Sequence, residues 1–223
     1  ETAAMVTRLA KTHIRFGHFE YFHTQGMLDQ VKQLANHVIN QFLPEYNDKE
    51  DKYAALLRYS VKNTAEMIAK WQSVGFAHGV MNTDNMSIIG ETLDYGPYAF
   101  LDDYDPEFIC NHSDNTGRYA FDQQPTIGLW NLNVLAHALS SLMDRETLST
   151  ALSEYEPILV EHYAELMRKK FGFAEQHDTD QSLCANILHL LAQDKVDYTV
   201  FFRHLSHFHV TGDNTSLNAL FQQ

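Results

Sequence analysis

The sequence predicts a mainly helical fold, for three reasons. Glycine (10) and proline (5) are few among the 223 residues, so residues that break helices are scarce. Several segments place apolar residues three and four positions apart, which is the spacing of one face of an α-helix. Between these segments, residues 76–127 sustain no helical period, and an irregular segment of this length indicates functional loops.

The amino-terminal part is predicted to contain a short strand over residues 3–10, a loop through residues 16–17 and two helices. The first helix, residues 28–42, has one apolar face and is stopped by Pro44. The second, residues 48–75, begins with acidic side chains, which the positive end of the helix dipole favours.

The carboxyl-terminal part is predicted to be helical throughout. Residues 128–143 are apolar nearly all round, which indicates a buried central helix. Pro157 fits the first turn of a helix, and Phe171-Gly172-Phe173 fits a helix end followed by a turn. Further helices are predicted over residues 145–156, 157–170, 180–193, 196–208 and 214–221. Because no repeat or linker is visible, residues 1–223 are predicted to form one domain.

Composition and charge exclude several classes of protein. Asp and Glu (29) outnumber Lys and Arg (16), and the net charge of −13 argues against a nucleic-acid partner. No run approaches 18 apolar residues, so no membrane span is predicted. Cys110 and Cys184 lie far apart, which excludes a disulfide-rich secreted scaffold and fits a reducing compartment. The sequence as given starts at Glu1 with neither an initiator Met nor the apolar stretch of a signal peptide, and we expect the chain to be a piece of a longer one.

Two short segments stand out within the irregular stretch. His78 precedes Asn85 by seven residues, and Asp94-Tyr95-Gly96 follows after an apolar pair. Protein kinases place a His and an Asn at this interval in the catalytic loop His-Arg-Asp-x-x-x-x-Asn, followed by a short hairpin and Asp-Phe-Gly. The Asn carbonyl and the Asp carboxylate suit the divalent cation of phosphoryl or nucleotidyl transfer. Val80 occupies the position of the kinase loop Asp, so Asp84 is the carboxylate that this loop offers.

Each segment alone is also ordinary turn chemistry, but their order and spacing favour a catalytic interpretation. Longer matches cover residues 7–10, 14–17, 78–88, 94–102, 108–114, 117–125 and 197–203. These segments closely resemble the selenoprotein O (SelO, YdiU) family of protein adenylyltransferases, which have a protein-kinase-like fold and were long called pseudokinases. The resemblance implies the carboxyl-terminal lobe of that fold, with a short β-hairpin at the catalytic loop. Residues 1–25 would then be the strand and loop of the lobe junction, and residues 76–127 the catalytic and activation-like loops. We expect the amino-terminal lobe to be absent, because neither its Gly-rich loop nor its nucleotide-binding Lys is found.

The resemblance also implies individual roles. Asp84 corresponds to the family's proton acceptor, and Asn85 and Asp94 correspond to its metal ligands, with Asp94 also approaching the nucleotide. Arg8 and Arg15 correspond to arginines that hold ATP phosphates, a task suited to planar guanidinium groups. The expected cofactor is Mg²⁺ or Mn²⁺. AMP from ATP would pass to Ser, Thr or Tyr hydroxyls of proteins, with release of pyrophosphate. Such an enzyme is expected in the cytoplasm of bacteria or in mitochondria of eukaryotes, and this piece alone is expected to be inactive.

Two other functions stay open at this point. An ordinary kinase-type phosphotransferase is disfavoured by Val80, which cannot take a proton. A catalytically inactive pseudokinase that serves as an interaction module is disfavoured by the presence of both Asn85 and Asp94, since a scaffold needs no paired metal ligands. Without the family resemblance, Arg8 and Arg15 would be interpreted as partners in surface salt bridges.

Overall fold

A computed structural model describes Met5, residues 7–210 and residues 212–221. These residues are mainly helical, with one small antiparallel sheet, which confirms the predicted class. The helices are α1 (Phe16–Thr24), α2 (Leu28–Phe42), α3 (Lys52–Val74), α4 (Gln124–Ala138), α5 (Arg145–Ser153), α6 (Tyr155–Phe171), α7 (Asp180–Gln193), α8 (Tyr198–Leu205) and α9 (Thr215–Asn218). In the sheet, β1 (Phe76–Ala77) pairs with β2 (Ala99–Phe100). Within the described ranges, no helix is both long and apolar enough to cross a membrane.

Most predicted helices are present, and their ends differ from prediction by a few residues. Helices α2 and α7 have the predicted bounds, and Pro157 lies in the first turn of α6. Helix α4 begins four residues earlier and ends five residues earlier than the predicted 128–143. It is also less enclosed than expected, because 45% of Trp130 is exposed.

The first 25 residues differ from the prediction. Of the predicted strand over residues 3–10, Met5 and residues 7–10 form no strand, and the others lie outside the described residues. The segment predicted as a loop at residues 16–17 instead begins helix α1. This helix lacks the usual start signal of Ser, Thr, Asp or Asn. Its first residue is preceded by Arg15, whose backbone N–H donates to Nδ1 of His18 at 3.0 Å.

The hairpin predicted at the catalytic loop is smaller than expected. Within it the structure has a single antiparallel bridge, which joins Met86 and Thr92. The two-stranded sheet instead pairs the segment before the loop with the segment after it, with Phe76 opposite Phe100.

The chain divides into two compact units, of which unit 1 comprises Glu1–Thr64, Met81–Tyr95 and Leu129–Tyr155. Its core includes fully buried side chains of α2 and α3, together with Met81, Met86 and Ile88. Buried polar side chains hold two carbonyl groups of the same segment. The Asn131 side-chain amide donates to the carbonyl of Met81 at 2.9 Å, and the Ser60 hydroxyl lies 3.1 Å from the carbonyl of Ile88. Residues 81–88 are therefore anchored on both sides of the 3₁₀ turn Thr83–Asn85.

Unit 2 comprises Ala65–Val80, Gly96–Gly128 and Glu156–Gln223. Its core is rich in aromatic side chains, and a lysine lies among them. The Lys170 ammonium donates to the carbonyl of Ser73 at 2.6 Å and lies 4.2 and 4.3 Å from the ring centroids of Tyr198 and Phe202. Burial lowers the pKa of Lys170 to about 8.

Candidate functional site

The site is centred on a single 3₁₀ turn, Thr83–Asn85, in unit 1. The backbone N–H of Asn85 donates to the carbonyl of Asn82 at 2.9 Å, and the flanking Met86 is fully buried. Asp84 is exposed and Asn85 is half-buried. The turn therefore presents two oxygen-bearing side chains to solvent from an anchored backbone.

Backbone hydrogen bonds join the start of α1 to this turn. The N–H of Phe16 donates to the carbonyl of Met86 at 2.9 Å, and the N–H of Ile88 donates to the carbonyl of Ile14 at 3.0 Å. Residues 14–16 and 86–88 thus run antiparallel over a short distance, with Arg15 opposite Ser87.

Arg15 links two of the residues to which the sequence assigns chemistry. Its Nη1 donates to the backbone carbonyl of Asp84 at 2.8 Å and lies 2.9 Å from Oδ2 of Asp94. One guanidinium nitrogen therefore contacts both the turn Thr83–Asn85 and the Asp-Tyr-Gly segment. Carboxylate–guanidinium contacts of this length are charge-assisted and stronger than neutral hydrogen bonds.

Asp94 has a backbone conformation that few residues adopt. Its φ is +56°, in the left-handed region, where Asp is tolerated better than most non-glycine residues. The preceding Leu93 is 2% exposed and fixes the segment in the core of unit 1, while Asp94 itself is exposed. Such conformations are concentrated at functional sites, where the surrounding structure holds them.

Arg8 contacts the same segment closer to its beginning. Its Nε donates to the carbonyl of Thr92 at 3.2 Å, and its Nη2 lies 3.8 Å from Oε2 of Glu91. The structure therefore brings both predicted phosphate-binding arginines to residues 91–94. Arg15 is the more enclosed of the two, with 28% of its side chain exposed against 39% for Arg8.

Two further residues of α1, Gly17 and Glu20, lie against the turn, and the sequence alone predicted a role for neither. A Cβ placed on Gly17 would lie 2.1 Å from Oδ1 of Asp84, so the absence of a side chain at Gly17 makes room for this carboxylate. Oε2 of Glu20 accepts a hydrogen bond from the Thr83 hydroxyl at 2.5 Å. The sequence signal for this contact was Gly17 itself, because a glycine inside a regular element often marks a position where another part of the chain approaches closely.

His78, the first residue of the kinase-like motif, lies in unit 2 and is buried. Its backbone N–H donates to the side-chain carbonyl of Gln124 at 2.8 Å, and its ring lies 5.3 Å from that of Trp71. Gln124 also donates to the carbonyl of Phe76 at 2.9 Å. His78 is therefore a packed anchor at the start of the loop rather than an exposed acid or base.

The predicted metal ligands suit the predicted metal. No three His, Cys, Asp or Glu side chains in the described part of the chain form a metal-binding cluster. Asn85 and Asp94 instead offer an amide oxygen and a carboxylate, which are hard donors. Mg²⁺ is commonly bound by one or two such ligands and keeps waters and substrate phosphates as the others. The donor set thus fits a cation that is bound together with a nucleotide.

Comparisons with known proteins give one consistent result. Residues 1–223 match the sequence model of a family described as "Protein adenylyltransferase SelO". The chain is 52% identical over 218 residues to the "Protein nucleotidyltransferase YdiU" of Vibrio vulnificus, with 98% of this chain and 44% of the relative covered. Proteins of the same name from Aliivibrio salmonicida and Vibrio cholerae are 55% and 56% identical over 206 residues, with 92% of this chain and 42% of each relative covered. The chain spans less than half the length of these curated relatives.

Proposed function

The chain belongs to the protein adenylyltransferase SelO family, as the resemblance implied, and we propose that it is part of an enzyme that transfers AMP from ATP to protein hydroxyls. The acceptors are Ser, Thr or Tyr, and pyrophosphate is released. One observation carries the proposal: a single nitrogen of Arg15 lies within hydrogen-bond distance of both the Asp84 carbonyl and the Asp94 carboxylate. This contact gathers the proposed proton acceptor, metal ligand and phosphate-binding group.

We further propose that the chain is the carboxyl-terminal lobe of a kinase-like fold. Its mainly helical content and the small sheet around the loop support this. The fraction of each relative that the chain covers supports its being a piece of a longer protein. That residues 1–223 form one domain stays a prediction, which a single unfolding transition would support. A cytoplasmic location is proposed because the named relatives are bacterial.

Asp84 is the proposed proton acceptor. It is exposed on an anchored turn, where the hydroxyl of a protein substrate can reach it. A positioned carboxylate that takes the proton of an attacking hydroxyl makes the oxygen a better nucleophile. Val80, at the position of the kinase loop Asp, has no group for this task, and this difference supports adenylyl over phosphoryl transfer.

Asn85 and Asp94 are the proposed ligands of Mg²⁺ or Mn²⁺. When bound, the cation supplies positive charge next to the phosphate oxygens, where negative charge develops during transfer. In the present structure Asp94 is paired with Arg15, so its carboxylate already faces a positive charge.

Arg8 and Arg15 are proposed to bind the terminal phosphates of ATP. Both contact residues 91–94, so two positive charges lie along the segment that carries Asp94. Holding the β- and γ-phosphates there would leave the α-phosphate to face the acceptor hydroxyl. Attack at that phosphorus forms the bond to AMP and breaks the bond to pyrophosphate.

The test is to follow each phosphate separately. The full-length protein is incubated with a protein acceptor and ATP labelled at the α- or the γ-phosphate, with Asp84→Asn as the control variant. We expect the α label alone to become attached to protein, and the control to lose this transfer. Attachment of the γ label would instead identify an ordinary kinase. Attachment of neither label would favour the inactive pseudokinase.

A further inference from the structure

The contact between Glu20 and Thr83 is well placed to control the catalytic turn. Glu20 lies three residues after Gly17, so both lie on the face of α1 that contacts the turn. The carboxylate of Glu20 accepts the hydrogen bond of the Thr83 hydroxyl at 2.5 Å. Thr83 is only 8% exposed, and its hydroxyl would be left without this partner in a largely dry environment if Glu20 lost its oxygen atoms.

The turn is anchored at both ends, but the hydrogen bonds within it are few. It contains three residues, and 3₁₀ hydrogen bonds have poorer geometry than those of an α-helix. The N–H of Met86 is 3.3 Å from the carbonyl of Thr83, just beyond the normal range for such a hydrogen bond. A side-chain contact at Thr83, the residue before Asp84, therefore fixes the turn where its backbone bonds are weakest.

We propose that Glu20 is a positioning residue that acts through the Thr83 hydroxyl to hold the turn bearing Asp84 and Asn85. The proposal rests on the function proposed above for these two residues. Glu20 takes no proton from the substrate and binds no metal: it accepts one hydrogen bond, and a neutral oxygen in the same place does the same work. Its loss displaces the reacting groups and leaves the two arginines in place.

The experiment compares isosteric variants on both sides of the hydrogen bond in the full-length protein. Glu20→Leu and Thr83→Val remove the bond, whereas Glu20→Gln and Thr83→Ser keep an acceptor and a donor. We expect kcat for AMP transfer to fall about 10–100-fold in the first pair, since misplacing a reacting group by about 1 Å has effects of this size. KM for ATP should change little. The second pair should retain most activity, and the double variant Glu20→Leu/Thr83→Val should be no worse than either single one.

Several outcomes overturn the proposal. If Glu20→Gln is as damaging as Glu20→Leu, the negative charge itself acts on the reaction. If the losses multiply in the double variant, the two residues act independently. Hydrogen exchange of residues 81–88 gives a readout that needs no activity: it should be faster in Glu20→Leu and Thr83→Val and unchanged in Glu20→Gln, and equal exchange in all three would also refute the proposal.

The same measurements separate this inference from the proposed function. A wild-type protein that transfers no AMP contradicts the proposed function, and hydrogen exchange still reports whether Glu20 holds the turn. A wild-type protein that transfers AMP, with Glu20→Leu equally active, contradicts only the role of Glu20. Thermal unfolding of each variant identifies any loss that comes from global destabilisation.

Discussion

Replacing Gly17 by alanine is expected to lower AMP transfer without destabilising the protein. The new Cβ would lie 2.1 Å from Oδ1, 3.1 Å from Cγ and 3.2 Å from Cα of Asp84. Because a Cβ closer than about 3.4 Å to another heavy atom is tighter than nearly all real contacts, the carboxylate oxygen has to move by about 1 Å. The short contact to Cα means that the turn backbone has to adjust as well.

The size of the effect follows from this displacement. A misplacement of about 1 Å at a reacting group costs about 10²-fold in rate, which corresponds to about 2.7 kcal/mol of transition-state stabilisation. The stability of the protein should change much less. Alanine in a helix is favoured over glycine by about 0.5–1 kcal/mol, and this gain offsets part of the strain at Asp84.

The assay is AMP transfer with α-labelled ATP, together with thermal unfolding, and Gly26→Ala is the matched control. Gly26 follows α1 with φ of +70°, and a Cβ there would meet nothing within 4 Å. Alanine at this left-handed position should cost about 1 kcal/mol of stability and leave transfer unchanged. The two variants should thus show opposite patterns. Full activity in Gly17→Ala would refute the reasoning, because Asp84 would then tolerate displacement.

Three more predictions follow from the site and the core. Asp94→Asn keeps a side chain that tolerates the left-handed backbone but loses the charge, so AMP transfer should fall by about 10²–10³-fold or more. Asn85→Ala should lower transfer less, and wild-type activity in both variants would contradict the assignment of the metal ligands. Arg15→Ala should raise KM for ATP and reduce kcat/KM by about 10–100-fold, because a charge-assisted contact is worth about 1.5–3 kcal/mol. Arg8→Ala should have a smaller effect, since that side chain is more exposed, and equal losses in the two variants would contradict this ranking. Lys170 has a pKa of about 8 in the folded protein against an ordinary 10.5, so the unfolded chain binds more protons between these two pH values. The free energy of unfolding should therefore rise with pH across this window by about 1–3 kcal/mol, which is less than the full shift implies because the side chain is partly exposed. Urea unfolding at several pH values should show this rise, and a matching rise in Lys170→Met would exclude Lys170 as its source.

The helices could be predicted where the signals are local. Helix α2 was predicted over its full length because one face is aliphatic and Pro44 follows its end. Helix α1 could not be predicted in the same way. Its two fully buried large side chains are Phe16 and Phe19, and its start is stabilised by the side chain of His18. Neither this short apolar pair nor a capping histidine is among the usual sequence signals of a helix. Its formation depends on contacts with residues far along the chain.

The candidate site was predicted in part. The interval from His78 to Asn85 and the following Asp94 are short-range patterns, and they are sufficient to single out this loop as the candidate site. Arg15 was identified only through the family resemblance, since an isolated arginine has many possible partners. The structure adds the reason for its position, a contact with the carbonyl of Asp84 that spans 69 positions of sequence.

The roles of Gly17 and Glu20 could not be predicted from the sequence, because they depend on contacts between α1 and a turn far along the chain. Arg15 contacts the carbonyl of Asp84, Gly17 makes room for its carboxylate, and Glu20 accepts a hydrogen bond from the hydroxyl of Thr83, 63 positions away. Each residue contacts a different part of one turn: Arg15 the backbone carbonyl of Asp84, Gly17 the carboxylate proposed to react, and Glu20 the Thr83 side chain. Their variants should therefore differ in kind, with Arg15 affecting ATP affinity most and with Gly17 and Glu20 affecting the rate of transfer. A helix that the sequence presents as a loop is thus the element that we propose to position the chemistry.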